Sequence, residues 1–206
     1  MEVSPLKVPD AFSFRPRQFR DDRGAFLETY RFEPLAEAVG HRLDLRQANL
    51  SVSRRGTVRG LHFADVPRGQ AKYVTCVRGA VLDVVVDIRV GSPTFGTWDA
   101  VRLDDAERTA VYVAEGLGHG FAALTDDATV MYLCSEVYNP TGEHGLNPLD
   151  PGLGIDWGLS GDVEPLLSEK DLAAPGLQAA AESGLLPDYE TCRAFYASLA
   201  DSVVTG

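Results

Sequence analysis

An all-β domain with a few short helices is the fold this sequence predicts, and three features carry that expectation. AVLDVVVDI at 80–88 alternates with a period of two, with Ala80, Leu82, Val84, Val86 and Ile88 on one face and Val81, Asp83, Val85 and Asp87 on the other. Other short strand patterns recur along the middle of the chain, separated by turn-forming clusters such as Gly91-Ser92-Pro93 and Thr125-Asp126-Asp127. Amphipathic stretches of crossover length are missing between them, which disfavours a parallel α/β sheet and leaves a sandwich, jelly roll or barrel.

Taken in order, Phe32–Val39 reads as a short helix, followed by strands at 57–63, Lys72–Arg78, 80–88, 98–103, Ala110–Val113, 120–124 and 129–137. After Leu167 the composition turns to Ala, Leu and Glu. Ser168 opens a short capped turn through Asp171, a helix at 178–183 ends at Gly184 with Pro187 beyond, and a last helix covers 189–199. This divides the chain into a domain over residues 1–170 and a C-terminal helical arm over 171–206, packed on it.

The 206 residues fit one domain with an extra arm, and 45% hydrophobic with 24% charged residues is ordinary for a globular protein. A net charge of -11 argues against nucleic-acid binding, which needs a basic face, but leaves room for an anionic small molecule held by local arginines. The longest apolar run, Ala80–Val86, is broken by Asp83 and is far shorter than a bilayer span, so no membrane association is expected. The N-terminus lacks a basic stretch followed by an apolar run. Cys76, Cys134 and Cys192 are odd in number and widely spaced, without a disulfide framework or zinc pattern, and the cytoplasm is the expected compartment.

Polar residues inside apolar strands are the leads to chemistry. His62 lies in VRGLHF; a lone strand histidine is more often structural than catalytic. Asp83 interrupts the most apolar strand, where a carboxylate either finds a partner, such as an imidazole whose basicity it raises, or sits exposed on a sheet edge. Tyr132 shares a face with Val130, Cys134 and Glu136, as packing or as an acid aimed into a cavity. Lys72, at the start of a strand, either faces a developing oxyanion or is solvated. Arg59 and His62 fall on opposite faces under strict alternation, so reaching one pocket requires Gly60 to permit a bulge or twist. A metal held by His62, His119 and Glu143 lacks any HxH or HExxH spacing. Arg15, Arg17, Arg20 and Arg23 form a basic cluster that either holds phosphate or solvates a face, and no Gly-rich phosphate loop is present.

Six segments, in order, extend this reading: DDRGAFLETY (21–30), QANLSVSRRGTVRGLHF (47–63), AKYVTCVRGAVLDVVVDIRVGSPTFGTW (71–98), EGLGHGF (115–121), YLCSEVYNPTGEHG (132–145) and LLSEKD (166–171). Together they resemble the dTDP-4-dehydrorhamnose 3,5-epimerase family, including its antibiotic deoxysugar branch, over about residues 3–190. The resemblance implies a cupin-like jelly roll, a homodimer whose N-terminal strands add to the partner, and no metal or organic cofactor. It also implies epimerisation at C3, C5 or both of a dTDP-4-keto-6-deoxy sugar such as dTDP-4-keto-6-deoxyglucose.

By the same resemblance His62 is the base, Tyr132 the acid, and Lys72 with Arg59 lies near the sugar C4 oxygen. Asp171 or Asp83 supports the base, without a ranking between them. Arg23, Glu28, Gln47, Asn49, Arg59, His119, Glu143 and Lys170 match positions lining the nucleotide-sugar site, and Tyr138 matches an aromatic stacked on thymine. The chain departs from the commonest pattern at GLHFADVPRGQAK, with Phe63, Ala64 and Ala71, and at EHGLNPLDPGLGIDW. Those departures leave open a mono-epimerase on a modified keto sugar; a nucleotide-sugar 3,4-ketoisomerase is the alternative of another chemical class, and a carbohydrate-binding jelly roll the alternative without chemistry.

Overall fold

In the computed structural model, which describes residues 1–161 and 163–201, the chain forms β1 (Glu2–Pro5), β2 (Ala11–Arg15), β3 (Gln18–Asp21), β4 (Gly24–Leu27), α1 (Phe32–Val39), β5 (Gln47–Ser53) and β6 (Val58–Ala64). There follow β7 (Lys72–Arg78), β8 (Ala80–Val86), β9 (Trp98–Asp104), β10 (Ala110–Val113), β11 (Gly118–Ala123), β12 (Ala128–Cys134) and β13 (Glu143–Gly145). The helices α2 (Glu169–Leu172), α3 (Leu177–Glu182) and α4 (Tyr189–Asp201) close the described chain. The expected all-β, jelly-roll architecture with short helices is the one observed. Strand ends differ from the sequence reading by up to three residues, as at 129–137, where β12 stops at Cys134.

The strands form a six-stranded sheet, β1-β2-β10-β7-β12-β5, and a five-stranded sheet, β13-β6-β11-β8-β9, with β3 and β4 as a separate hairpin. The alternation of β8 explains how they stack. Val81 and Val85 join Phe14, Cys76, Val111 and Val130 in the core between the sheets. Val84, Val86 and Ile88 instead pack with Val58, Leu61, Leu146, Trp157, Leu177 and Leu186, beneath the C-terminal segment. A strand covered on both faces reads as a nearly unbroken apolar run, as β8 does. β8 is also an interior strand between β11 and β9, and Asp83 is 1% exposed, so the exposed-edge alternative for this carboxylate fails.

A buried ion pair fastens α4 to the barrel. Arg89 is fully buried; its Nε donates to Asp87 Oδ1 at 2.9 Å and its Nη1 to Asp10 Oδ2 at 2.6 Å, while the Tyr189 ring lies 5.0 Å from the guanidinium. Ser92 and Thr94 hydroxyls donate to the other Asp87 oxygen. Burial opposes the Asp87 charge, but these hydrogen bonds hold its carboxyl below the usual range. Among the described residues, no helix is long and apolar enough to cross a membrane.

Candidate active site

The site is made by two facing sheets and one irregularity. In the β6–β11 ladder His119 pairs with His62 and Phe121 with Arg59, so three residues of β6 oppose two steps of β11. The extra residue is a bulge at Gly60 and Leu61 that brings Arg59 and His62 to the same cleft. Only glycine fits there: its φ is +118°, and a Cβ would lie 2.6 Å from Gly120 Cα and 2.7 Å from the His119 carbonyl oxygen.

A cleft of about 360 Å³ opens between the sheets. His62 and Arg59 from β6 and His119 from β11 line one side, and Gln47, Asn49 and Ser51 from β5, Lys72 from β7 and Tyr132 from β12 line the other. Glu143 and His144 of β13, Tyr138, Gln70, and Ser168, Lys170 and Asp171 around α2 complete the wall. Among the described residues no group of three or more His, Cys, Asp or Glu side chains is arranged to hold a metal ion.

Each cleft histidine is engaged by its own carboxylate. His62 Nε2 donates to Asp171 Oδ1 at 2.8 Å, and His119 Nε2 donates to Asp83 Oδ2 at 2.8 Å. The two acids that the sequence left unranked therefore separate: Asp171 serves His62, and Asp83 serves its ladder neighbour. The Ser168 hydroxyl caps α2 by accepting from the Asp171 N–H at 3.1 Å, which fixes the acid at the first turn. Burial raises the Asp171 carboxyl, but hydrogen bonds from His62 and at Ser168, with the charges of His62 and Lys170, bring it below the usual carboxylate value. An ionised Asp171 accepts only, so Nε2 carries the His62 hydrogen and a neutral ring keeps its lone pair on Nδ1.

The Lys72 ammonium has no hydrogen-bond or ion-pair partner among the described residues. Burial pulls its ammonium below the ordinary lysine value, opposed by Cys134, Glu143 and Asp83. Tyr132 is opposite Asn49 in the β12–β5 ladder. Burial, with Cys134 and Glu143, pushes its phenol up, while Arg59 and a hydrogen bond with Asn49 pull it back. Cys134 is buried behind this pair; burial raises its thiol to about 11. At the mouth, half-exposed Tyr138 is anchored by its N–H donating to Gln47 Oε1 at 2.9 Å.

Of the residues singled out in the sequence, Gln47, Asn49, Arg59, His62, Lys72, His119, Tyr132, Tyr138, Glu143, Lys170 and Asp171 line the cleft, and Asp83 is one hydrogen bond behind it. Arg23 and Glu28 do not reach it: Arg23 is at the tip of the β3–β4 hairpin, paired with Asp21, and Glu28 follows β4 beside Arg31.

The fold is shared with known proteins. A family profile described as dTDP-4-dehydrorhamnose 3,5-epimerase matches residues 5–179. The chain belongs to this family. It is 57% identical to a dTDP-4-dehydrorhamnose 3-epimerase of Streptomyces niveus, across 94% of this chain and 92% of that protein. It is 56% identical to a dTDP-4-dehydrorhamnose 3,5-epimerase of Streptomyces griseus, across 97% and 98%. Among solved structures, the rmlC epimerase of Mycobacterium tuberculosis superposes with a TM-score of 0.95 at 51% identity, covering 97% of this chain and all of that one, 100%. Membership of the epimerase family accounts for the double-sheet fold.

The cleft also contains residues that sequence reasoning passed over: Ser51, Gln70, Phe121, His144 and Ser168 as a cleft residue rather than a cap alone. For Ser51 a signal existed, since it shares strand parity with Gln47 and Asn49. Gln70 and His144 lie in the two segments where the chain departs from the commonest family pattern, which gives periodicity nothing to read.

Proposed function

We propose that this cleft epimerises a dTDP-4-keto-6-deoxy sugar at C3, C5 or both by moving protons next to the C4 ketone. The observation that carries the reading is that His62 and Tyr132 enter one cleft from facing sheets, with the Lys72 ammonium, unpaired among the described residues, in the same space. A hydrogen on a carbon beside a ketone is acidic because the carbanion delocalises onto the carbonyl oxygen. His62, with Nε2 held by Asp171, takes that proton on Nδ1. Lys72 and Arg59 stabilise the enolate oxygen in a site partly closed to water. Tyr132 then returns a proton to the opposite face of the carbon, inverting it. Burial keeps the tyrosine protonated at neutral pH, as an acid must be. The His119–Asp83 pair, Gln47, Asn49 and Glu143 hold the sugar, Tyr138 stacks on the thymine, and Lys170 and the arginines answer the diphosphate, which the net charge of -11 would otherwise repel.

The active unit in this reading is a homodimer in the cytoplasm. β5 is an edge strand with Leu50 62% and Val52 55% exposed, and the β3–β4 hairpin presents Phe19 and Phe26 to solvent. Edges and aromatic faces of this kind are normally covered. A second copy laid there brings its hairpin, with Arg23 and the nearby Glu28, towards the cleft that their own chain leaves without them.

Relatives named as a 3-epimerase and as a 3,5-epimerase are almost equally similar, which keeps a mono-epimerase as the second reading. The test is NMR of dTDP-4-keto-6-deoxyglucose in deuterated water. Deuterium with inversion at both C3 and C5 establishes double epimerisation, and incorporation at one centre alone establishes the mono-epimerase. A carbonyl moved to C3, or no exchange by folded protein, overturns the assignment.

A further inference from the structure

Ser51 lines the cleft, yet its Oγ is buried without a hydrogen-bond partner among the described residues. Buried hydroxyls nearly always have partners, and an unpartnered one beside reacting groups calls for a reason. Its place on β5 supplies one. Gln47, Asn49, Ser51 and Ser53 share the inward parity of the strand, with Asn49 opposite Tyr132 and Ser51 opposite Val130, so Ser51 is a diagonal ladder neighbour of Tyr132. Diagonal positions are about 7–8 Å apart, within reach of an aromatic side chain. The flanking polar groups are already engaged. Ser53 Oγ accepts from Arg59 Nε at 3.0 Å, while Asn49 accepts from Gln47 Nε2 at 2.9 Å and turns its own Nδ2 towards Cys134 Sγ at 3.7 Å. Asn49 also hydrogen-bonds the Tyr132 phenol, so Ser51 would be a second β5 donor to it.

We propose that Ser51 is a positioning residue for the Tyr132 acid, its hydroxyl donating to the phenolate oxygen that forms when Tyr132 gives up its proton. The inference rests on the reading of Tyr132 as the acid. In that step the enolate electron pair forms the new C–H bond with the tyrosine proton, the O–H bond breaks, its pair stays on the phenolate oxygen, and the C4 carbonyl re-forms. Ser51 transfers nothing; its side chain changes rotamer to bring the O–H to an anion absent from the resting site. Water then returns a proton to Tyr132, and His62 releases to water the one it took. Because burial disfavours the phenolate, a donor aimed at the anion alone accelerates the step rather than tightening binding.

The test compares Ser51→Ala, Ser51→Thr and Tyr132→Phe for inversion, for deuterium exchange and for the pH profile of kcat with dTDP-4-keto-6-deoxyglucose. Ser51→Ala should lower kcat for inversion about tenfold to a hundredfold, the effect of one hydrogen bond to a charged group, with KM within about twofold. Its exchange should be less affected, and the basic limb of kcat should move to higher pH, because the phenolate loses a donor. Ser51→Thr should recover most of the rate. Thermal stability of Ser51→Ala should hold or rise, since the lost Oγ has no partner in the resting fold. A raised KM with unchanged kcat would make Ser51 a substrate ligand instead, and unchanged kcat, KM and pH profile would reduce it to packing; either overturns the proposal. The controls separate the two levels: parental inversion by Tyr132→Phe defeats the acid assignment itself, whereas its loss with an unimpaired Ser51→Ala defeats only the role of Ser51.

Discussion

His62 and Asp171 are 109 residues apart in sequence and joined by a 2.8 Å hydrogen bond at the wall of the cleft. The acid comes from the first turn of a four-residue helix whose cap, Ser168, is itself a cleft residue, so a local helix signal places a long-range partner. Asp171→Asn should retain the hydrogen-bonding shape but remove the negative charge that faces the imidazolium formed when His62 takes the substrate proton. The expected result is a fall in kcat of about a hundredfold or more, with exchange and inversion declining together because both follow proton abstraction. Solvent deuterium exchange followed by NMR reads both at once; an exchange rate within threefold of the parent would detach Asp171 from the base.

Tyr132→Phe and Lys72→Met should part company in that same assay. Without the tyrosine, His62 still removes the proton and returns solvent deuterium to the same face, so exchange persists while inversion falls. Without the lysine the enolate loses its unpaired cation, and both should fall by about a hundredfold to a thousandfold, as for removal of an oxyanion donor. Equal residual exchange and inversion in Tyr132→Phe would contradict delivery from the opposite face.

Gly60→Ala tests the bulge. The alanine would carry a Cβ 2.6 Å from Gly120 Cα at a φ of +118°, a clash with backbone that no rotamer relieves. A loss of at least about 1–3 kcal/mol is expected from the backbone conformation alone. Whatever folds should have its Arg59 and His62 re-aimed and little activity. Denaturant midpoints measure the first effect and kcat the second; normal values for both would mean the β6–β11 ladder has another register.

How much of this was legible beforehand depends on the kind of signal each residue emits. The period-two run through β8 assigned its residues to two faces, and the punctuation by Gly79 and the proline- and aspartate-rich turns marked the strands on either side; that both faces are covered came from the packing. Strict alternation misassigned the relation of Arg59 to His62, because a bulge leaves no trace in hydrophobic periodicity beyond the glycine that permits it. The pairing of Asp171 with His62 and of Asp83 with His119 is tertiary: neither spacing nor residue type distinguishes two acids when both partners are set by how a distant helix and an adjacent strand pack. Ser51 resembled any strand serine until its neighbours proved to be engaged.

Stability should depend on the buried pair beside α4 and on acid. Arg89→Met leaves Asp87 buried without its guanidinium, and breaking such a pair from one side costs about 3–5 kcal/mol. Denaturant unfolding should show this, and a change under 1 kcal/mol would mark the pair as replaceable by packing. Asp87 and Asp171 both bind protons more weakly folded than unfolded. The stability they add is therefore complete above the unfolded carboxylate value of about 4 and disappears as pH falls through their lower folded values. Melting temperature should be level from neutral pH to about pH 5 and drop below it, less steeply in Asp171→Asn.

Arg23 gives the sharpest test of the dimer, because it lies outside the cleft of its own chain. His62→Asn removes the base from one subunit but leaves the hairpin it offers to a partner; Arg23→Ala does the reverse. Each homodimer should be impaired. Co-expressed in equal amounts, the two variants should form mixed dimers in which one cleft combines an intact His62 with an intact Arg23 from across the interface. Random pairing makes about half the dimers mixed, so about a quarter of all clefts, and of the parental rate, should return. If Arg23 served its own chain, the subunit retaining His62 would still lack it and mixing would restore nothing. Gel filtration of Leu50→Asp supplies the physical counterpart: a charge on the exposed β5 face should shift the protein towards monomer and lower activity with it.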